Sequence, residues 1–96
     1  VATAPTVVLG SPRPSPTSGR SGTELALARP TFVHATLFDV HGRHVRTVEH
    51  RLLPAGRHVL VWDGRLTNGE DAASGVYWLR VTAGDVEKRA KLVIVR

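Results

Sequence analysis

The chain contains no cysteine and no methionine. Without cysteine it forms no disulfide and offers no thiolate to a metal, so packing and backbone hydrogen bonds must hold the fold unaided. Aromatic residues are few: two Trp, one Tyr and two Phe. That supply does not furnish the stacking platforms of single-strand nucleic-acid binders, and the Lys/Arg-Gly-Phe type of strand motif is missing too, so nucleic acid is not an expected partner. No run reaches the roughly 18 apolar residues of a transmembrane helix, so no membrane insertion is expected, and no basic-then-apolar leader opens the chain. The first residue is Val1 rather than methionine, which fits a processed or excised piece of something longer.

Acidic residues are the scarcer charge, 8 Asp+Glu against 13 Lys+Arg, for a net +5. Residues 1–31 carry three Arg and one Glu, while residues 32–96 carry ten Lys/Arg and seven Asp/Glu, so both parts are basic. A net positive surface suits an anionic partner, such as an anionic surface polysaccharide. Most arginines nevertheless fall between apolar residues, as on the solvated face of a strand, and no block of consecutive positive charges stands out. With 96 residues there is room for one domain and one modest core.

What is present is a period of two. Leu25 and Leu27 share one face of their run, as do Val33, Ala35 and Leu37, with Phe32, His34, Thr36 and Phe38 opposite. Runs at 43–52, 58–62, 76–82 and 86–95 follow the same alternation and concentrate β-branched and aromatic residues. His41-Gly42, Pro54-Ala55-Gly56, Asn68-Gly69, Ser74-Gly75 and Ala83-Gly84-Asp85 punctuate them with turn chemistry. Short strands separated by turn signals at roughly 8–12 residue spacing predict an all-β sandwich of about seven antiparallel strands with almost no helix.

The first 22 residues differ in composition. Thr6, Val7, Val8 and Leu9 form a short apolar strand candidate within an N-terminal extension, residues 1–10, of which 1–4 are expected to be loose. Residues 11–22 hold Pro12, Pro14 and Pro16 among serines. Alternate prolines fix φ and remove donors, so this stretch is expected to be an extended connector across one end of the sandwich body at 23–96. The 6–9 segment is expected either to pair at an edge of its own sheet or to complete a neighbour's sheet by strand addition.

Chemistry-bearing constellations are sparse. Serines cluster in the connector and in the turn at Ser74, without the flanking glycines of a nucleophile elbow, and the histidines are dispersed, so no enzyme and no cofactor is expected. His41 and His44 flank a turn but lack a third metal ligand. Residues 63–71 carry oxygen ligands, with Asp63 and Asp71 as calcium candidates, although Arg65 stands where an EF-hand loop has a ligand. The plainer reading is a polar turn in which Asp63 accepts backbone N–H bonds and Asn68-Gly69 reverses the chain. Trp62 and Tyr77 read as core. Phe38 and Trp78 fall on the opposite phase of their strands and form a candidate contact patch.

Over residues 11–96 the ordered landmarks are Ser11-Pro12-Arg13-Pro14-Ser15-Pro16, Leu37-Phe38-Asp39-Val40-His41-Gly42-Arg43, Leu53-Pro54-Ala55-Gly56, Trp62-Asp63-Gly64, Ser74-Gly75-Val76-Tyr77 and the closing Lys91-Leu92-Val93-Ile94-Val95-Arg96. This series resembles the immunoglobulin-like domain of flagellar hook-capping proteins, and is similar also to the C-terminal sorting domain of type IX secretion cargo. Ser15 stands where that family more often has asparagine. The resemblance implies an immunoglobulin-like fold and a non-catalytic C-terminal sorting or cell-surface attachment module. Such a module belongs to a secreted bacterial protein at an extracellular or cell-surface location. Its partners would be secretion machinery or neighbouring subunits. Pro12, Pro14, Pro16, Arg80, Lys88, Arg89, Lys91 and Arg96 would carry recognition. The alternative is a structural subunit of an extracellular filament or surface assembly, joined through its N-terminal strand.

Overall fold

The computed structural model describes residues 6–96; the expectation for residues 1–4 lies outside them. Seven strands follow in order: β1 (Val7–Leu9), β2 (Ser21–Leu27), β3 (Thr31–Phe38), β4 (His44–Leu53), β5 (Gly56–Trp62), β6 (Gly75–Ala83) and β7 (Val86–Ile94). Every pairing is antiparallel, and there is no helix among the described residues. A three-stranded sheet in the order β1-β2-β5 packs on a four-stranded sheet in the order β4-β3-β6-β7.

The period of two does what it predicts. Leu25 and Leu27 on β2, Val33, Ala35 and Leu37 on β3, and Tyr77, Leu79, Val81 and Ala83 on β6 all bury their side chains between the sheets. Leu60 and Trp62 from β5, and Leu92 and Ile94 from β7, close the same core. Each fully buried aliphatic side chain contributes on the order of 1.5–3 kcal/mol, and this burial replaces the missing disulfides.

Trp62 and Tyr77 are core residues with satisfied polar tips. Their rings meet edge-on at 5.3 Å. The Trp62 indole N–H donates to the Arg65 carbonyl at 2.8 Å, and the Tyr77 hydroxyl donates to the Ala73 carbonyl at 2.6 Å. Burial pushes the Tyr77 hydroxyl pKa up, the Asp39 charge adds to that, and the Arg96 charge opposes it.

The connector links the two sheets. Arg13 exchanges two backbone hydrogen bonds with Gly22 at the start of β2, and Thr17 bonds in parallel to β7, donating to Val93 and accepting from Val95. Pro12 is buried beside Leu60 and Trp62, while Pro14 and Pro16 are exposed. The segment is therefore a structural strap laid over the sandwich end.

Candidate functional site

The pairing registers set the outer face of the four-stranded sheet, because side chains directly opposite one another share a face. Phe38 on β3 lies opposite His44 on β4 and Trp78 on β6, and Trp78 lies opposite Lys91 on β7. The next row runs Thr47, Thr36, Arg80, Arg89, and the one after it His50, His34, Thr82, Glu87. Since Tyr77, Leu79 and Val81 point inward, Trp78, Arg80 and Thr82 must point out. The contact-patch candidates Phe38 and Trp78 thus stand on one surface with Arg80, Arg89 and Lys91.

Trp78 is 42% exposed there, and Phe38 is half-buried because the Arg80 guanidinium lies over its ring at 4.7 Å. A shallow depression of about 320 Å³ opens between Phe38, Asp39, Val40, Trp78, Arg80 and Arg89. Glu87 is the acidic group within this cationic cluster, 3.8 Å from Arg80 and 3.4 Å from Arg89. Such exposed pairs hold little energy, so the surface keeps a positive excess available to a partner.

The rim of the depression is the β3–β4 turn. Asp39 accepts from the backbone N–H groups of His41 and Arg43 at 2.9 and 3.0 Å and pairs with the Arg43 guanidinium at 3.0 Å. The Arg43 N–H is the main cause holding the Asp39 carboxyl below the usual carboxylate range; slight burial opposes it, and the His41 N–H and the Arg43 charge reinforce it. Gly42 takes φ +79°, which closes the turn. Val40, 64% exposed at its tip, belongs to the face although no periodicity assigned it there. Its only sequence signal is an apolar residue inside an Asp-Val-His-Gly turn.

Other recognition candidates go elsewhere. Lys88 lies opposite the inward-pointing Val81, so it takes the other side of β7 from Arg89 and Lys91. Arg96 is committed to the fold: its guanidinium donates to the carbonyls of Ala72, Gly64 and Ser18 at 2.6, 2.7 and 2.9 Å, and its backbone N–H donates to the Ser74 hydroxyl. Of the 6–9 segment, Val7, Val8 and Leu9 pair with Leu27, Ala26 and Leu25 of the same chain, and Val7 is buried. Thr6 accepts from the Ala28 N–H.

The calcium candidates Asp63 and Asp71 lie in a polar turn. Asp63 accepts from the Arg65 N–H at 3.0 Å and faces the Arg46 guanidinium at 3.3 Å, and a cation there would sit against that positive charge. Asp71 pairs through its backbone with Arg65 across the Asn68-Gly69 reversal. His41 and His44 are exposed. Among the described residues no three His, Asp or Glu side chains gather into a metal-binding group.

Two sheets in this order, a connector strapped across one end and an aromatic-cationic outer face define an immunoglobulin-like sandwich module. The chain belongs to the FlgD Ig-like domain family, whose sequence pattern matches residues 15–86. The basal-body rod modification protein FlgD of Salmonella typhimurium is 43% identical over 53 residues, covering 55% of this chain and 23% of that protein. FlgD of Escherichia coli is 42% identical over 53 residues, with the same coverage. The chain thus spans about a quarter of the length of these curated relatives. Among solved structures, dimeric latent PorU from Porphyromonas gingivalis matches with a TM-score of 0.70 at 17% identity, covering 97% of this chain and 10% of that one. PorZ of the same organism, a surface component of its type IX secretion system, matches with a TM-score of 0.60 at 21% identity, covering 94% and 11%. At these identities the likeness is one of fold.

Proposed function

We propose that this chain is a non-catalytic sorting or cell-surface attachment module of a secreted bacterial protein, docking a protein partner through the outer face of its four-stranded sheet. The observation that carries this reading is the convergence of Trp78, Phe38 and Val40 with Arg80, Arg89 and Lys91 on one exposed surface. Exposed aromatics flanked by arginine are what protein interfaces enrich at their anchors. The fold shared with PorZ, a surface component of a type IX secretion system, supports an exported setting, and the FlgD relatives support a scaffold rather than an enzyme.

The test is to fuse the whole chain to a periplasm-directed reporter in a type IX-competent bacterium. The reporter should reach the cell surface, and Trp78→Ala should reduce that fraction while leaving the fold intact. A wild-type fusion that stays in the periplasm overturns the reading.

The basal-body relatives favour a second reading, a subunit of an extracellular filament or surface assembly. In its strand-addition form β1 would have to leave β2, exposing Val7. Deleting residues 1–10 should then abolish assembly without unfolding the body; polymers that persist rule this form out.

A further inference from the structure

We propose that the free edge of β7 binds an extended acidic segment of a partner protein as an added antiparallel or parallel strand. This rests on the reading of the chain as a protein-docking module and assigns the partner its chemistry. The backbone argument comes first. In a paired strand, successive residues turn their N–H and C=O groups alternately toward the two neighbours. The Val93 carbonyl accepts from the Thr17 N–H, and the Val93 N–H donates to the Ser15 hydroxyl, so Val93 faces away from β6. By the two-residue period, Lys91, Arg89 and Glu87 face the same way. The connector covers this edge only at its C-terminal end, and β7 has β6 as its single partner strand among the described residues. Among the described residues, Glu87, Arg89 and Lys91 therefore present a row of donors and acceptors to a further strand.

The other three edges are less open. β1 is three residues long, β4 carries two register shifts and has its Val45 carbonyl occupied by Thr67, and β5 presents exposed Val59 and Val61, a surface that suits an apolar rather than an acidic strand.

The occupant follows from charge. Arg89 and Lys91 point onto the outer face from β7, with Arg80 behind them, and Lys88 points to the other side of the same edge. Both faces of an added strand would meet positive groups, with Glu87 alone opposing. A second copy of β7 would bring its own Lys88, Arg89 and Lys91 against these, and like charges across a strand pair are destabilising. An acidic strand gains from the same residues, its outer-face carboxylates meeting Arg89 and Lys91.

The experiment adds a synthetic peptide alternating glutamate with valine to the isotope-labelled chain and follows the backbone amides. The expected result is that the amides of Glu87, Arg89 and Lys91 shift and gain protection from exchange while the β4 and β5 edges stay unchanged. N-methylating alternate peptide nitrogens should abolish binding, which needs no change to the protein. Arg89→Glu with Lys91→Glu should weaken binding by about tenfold or more, equal to some 1.4 kcal/mol. Equal binding of the lysine-for-glutamate peptide, retained binding after N-methylation, perturbation confined to another edge, or no binding overturns the proposal. So does displacement of the peptide by polygalacturonate at matched charge, which would make the surface a polyanion site, or β7 shifts that follow chain concentration without peptide, which would make it a self-interface. Wild-type export with no peptide binding removes this inference and leaves the delivery reading; peptide binding without export does the reverse.

Discussion

The Arg96 guanidinium donates from Nη2 to the carbonyl oxygen of Gly64 at 2.7 Å, a contact spanning 32 positions of the chain. With its bonds to Ala72 and Ser18, it gathers the connector, the 63–71 loop and the end of the chain around one planar cation. Arg96→Ala should lower stability by about 1–2 kcal/mol, because charge-assisted bonds to carbonyls are lost at a partly exposed site. Arg96→Lys should recover only part, since a point ammonium does not match three carbonyls held by a fork. A shift in urea midpoint at unchanged slope measures both.

Gly64 and Gly42 both sit at φ +79°, yet they differ in surroundings. A Cβ on Gly42 meets open space, so Gly42→Ala should cost only the left-handed backbone penalty of about 1–2 kcal/mol. A Cβ on Gly64 would fall 2.9 Å from the backbone of Gly19, which the adjacent Ser18–Arg96 bond helps hold in place. Gly64→Ala should therefore cost about 2 kcal/mol more than Gly42→Ala, through overpacking. Thermal or urea unfolding of the two variants side by side checks the ordering.

The two tryptophans separate core from surface. Trp62→Ala removes a buried ring and leaves the Arg65 carbonyl without its donor, for a loss of about 3–5 kcal/mol, a large part of a small domain's stability. Trp78→Ala, on the exposed face, should change stability by roughly 0.5 kcal/mol or less. Near-equal destabilisation of the two would place Trp78 in the core.

The β3–β4 turn should respond to acid. Asp39 has its pKa lowered in the folded chain, so the unfolded chain binds the proton more readily and stability falls as pH drops. The contribution is fully present above the ordinary carboxylate pKa of about 3.9 and disappears as pH falls through the lower folded value. Amide exchange at His41 and Arg43 should accelerate over that window, and Asp39→Asn should flatten the response. Unchanged exchange in the wild type would show that the carboxylate does not brace the turn.

Much of this arrangement is legible in the sequence because it is local. Alternation at 25–27 and 33–37 set the inward faces, and Asn68-Gly69 and Gly42 marked reversals without reference to neighbours. Strand ends drifted by a residue or two, as at β5, which begins at Gly56 rather than at 58. What was not legible depends on register and distance. Phe38 and Trp78 could be put on the outer phase of their own strands, but that they face each other, with Lys91 alongside, follows only from how β3, β6 and β7 pair. Arg96 read as a recognition residue in the basic closing strand, and its structural role was not legible because its carbonyl partners lie 24 to 78 positions away. Pro12 carried the composition of a linker while being packed beside Trp62.

The strap from 11 to 20 has a mechanical consequence. Thr17 runs parallel to β7, so tension that draws the strap and Arg96 apart acts along both strands at once. The Thr17–Val93, Val95–Thr17 and Ser15–Val93 hydrogen bonds are then sheared together rather than unzipped one after another. A module tethering cargo at a surface would meet pulling forces at this junction, where its resistance is a matter of unfolding rate rather than equilibrium stability.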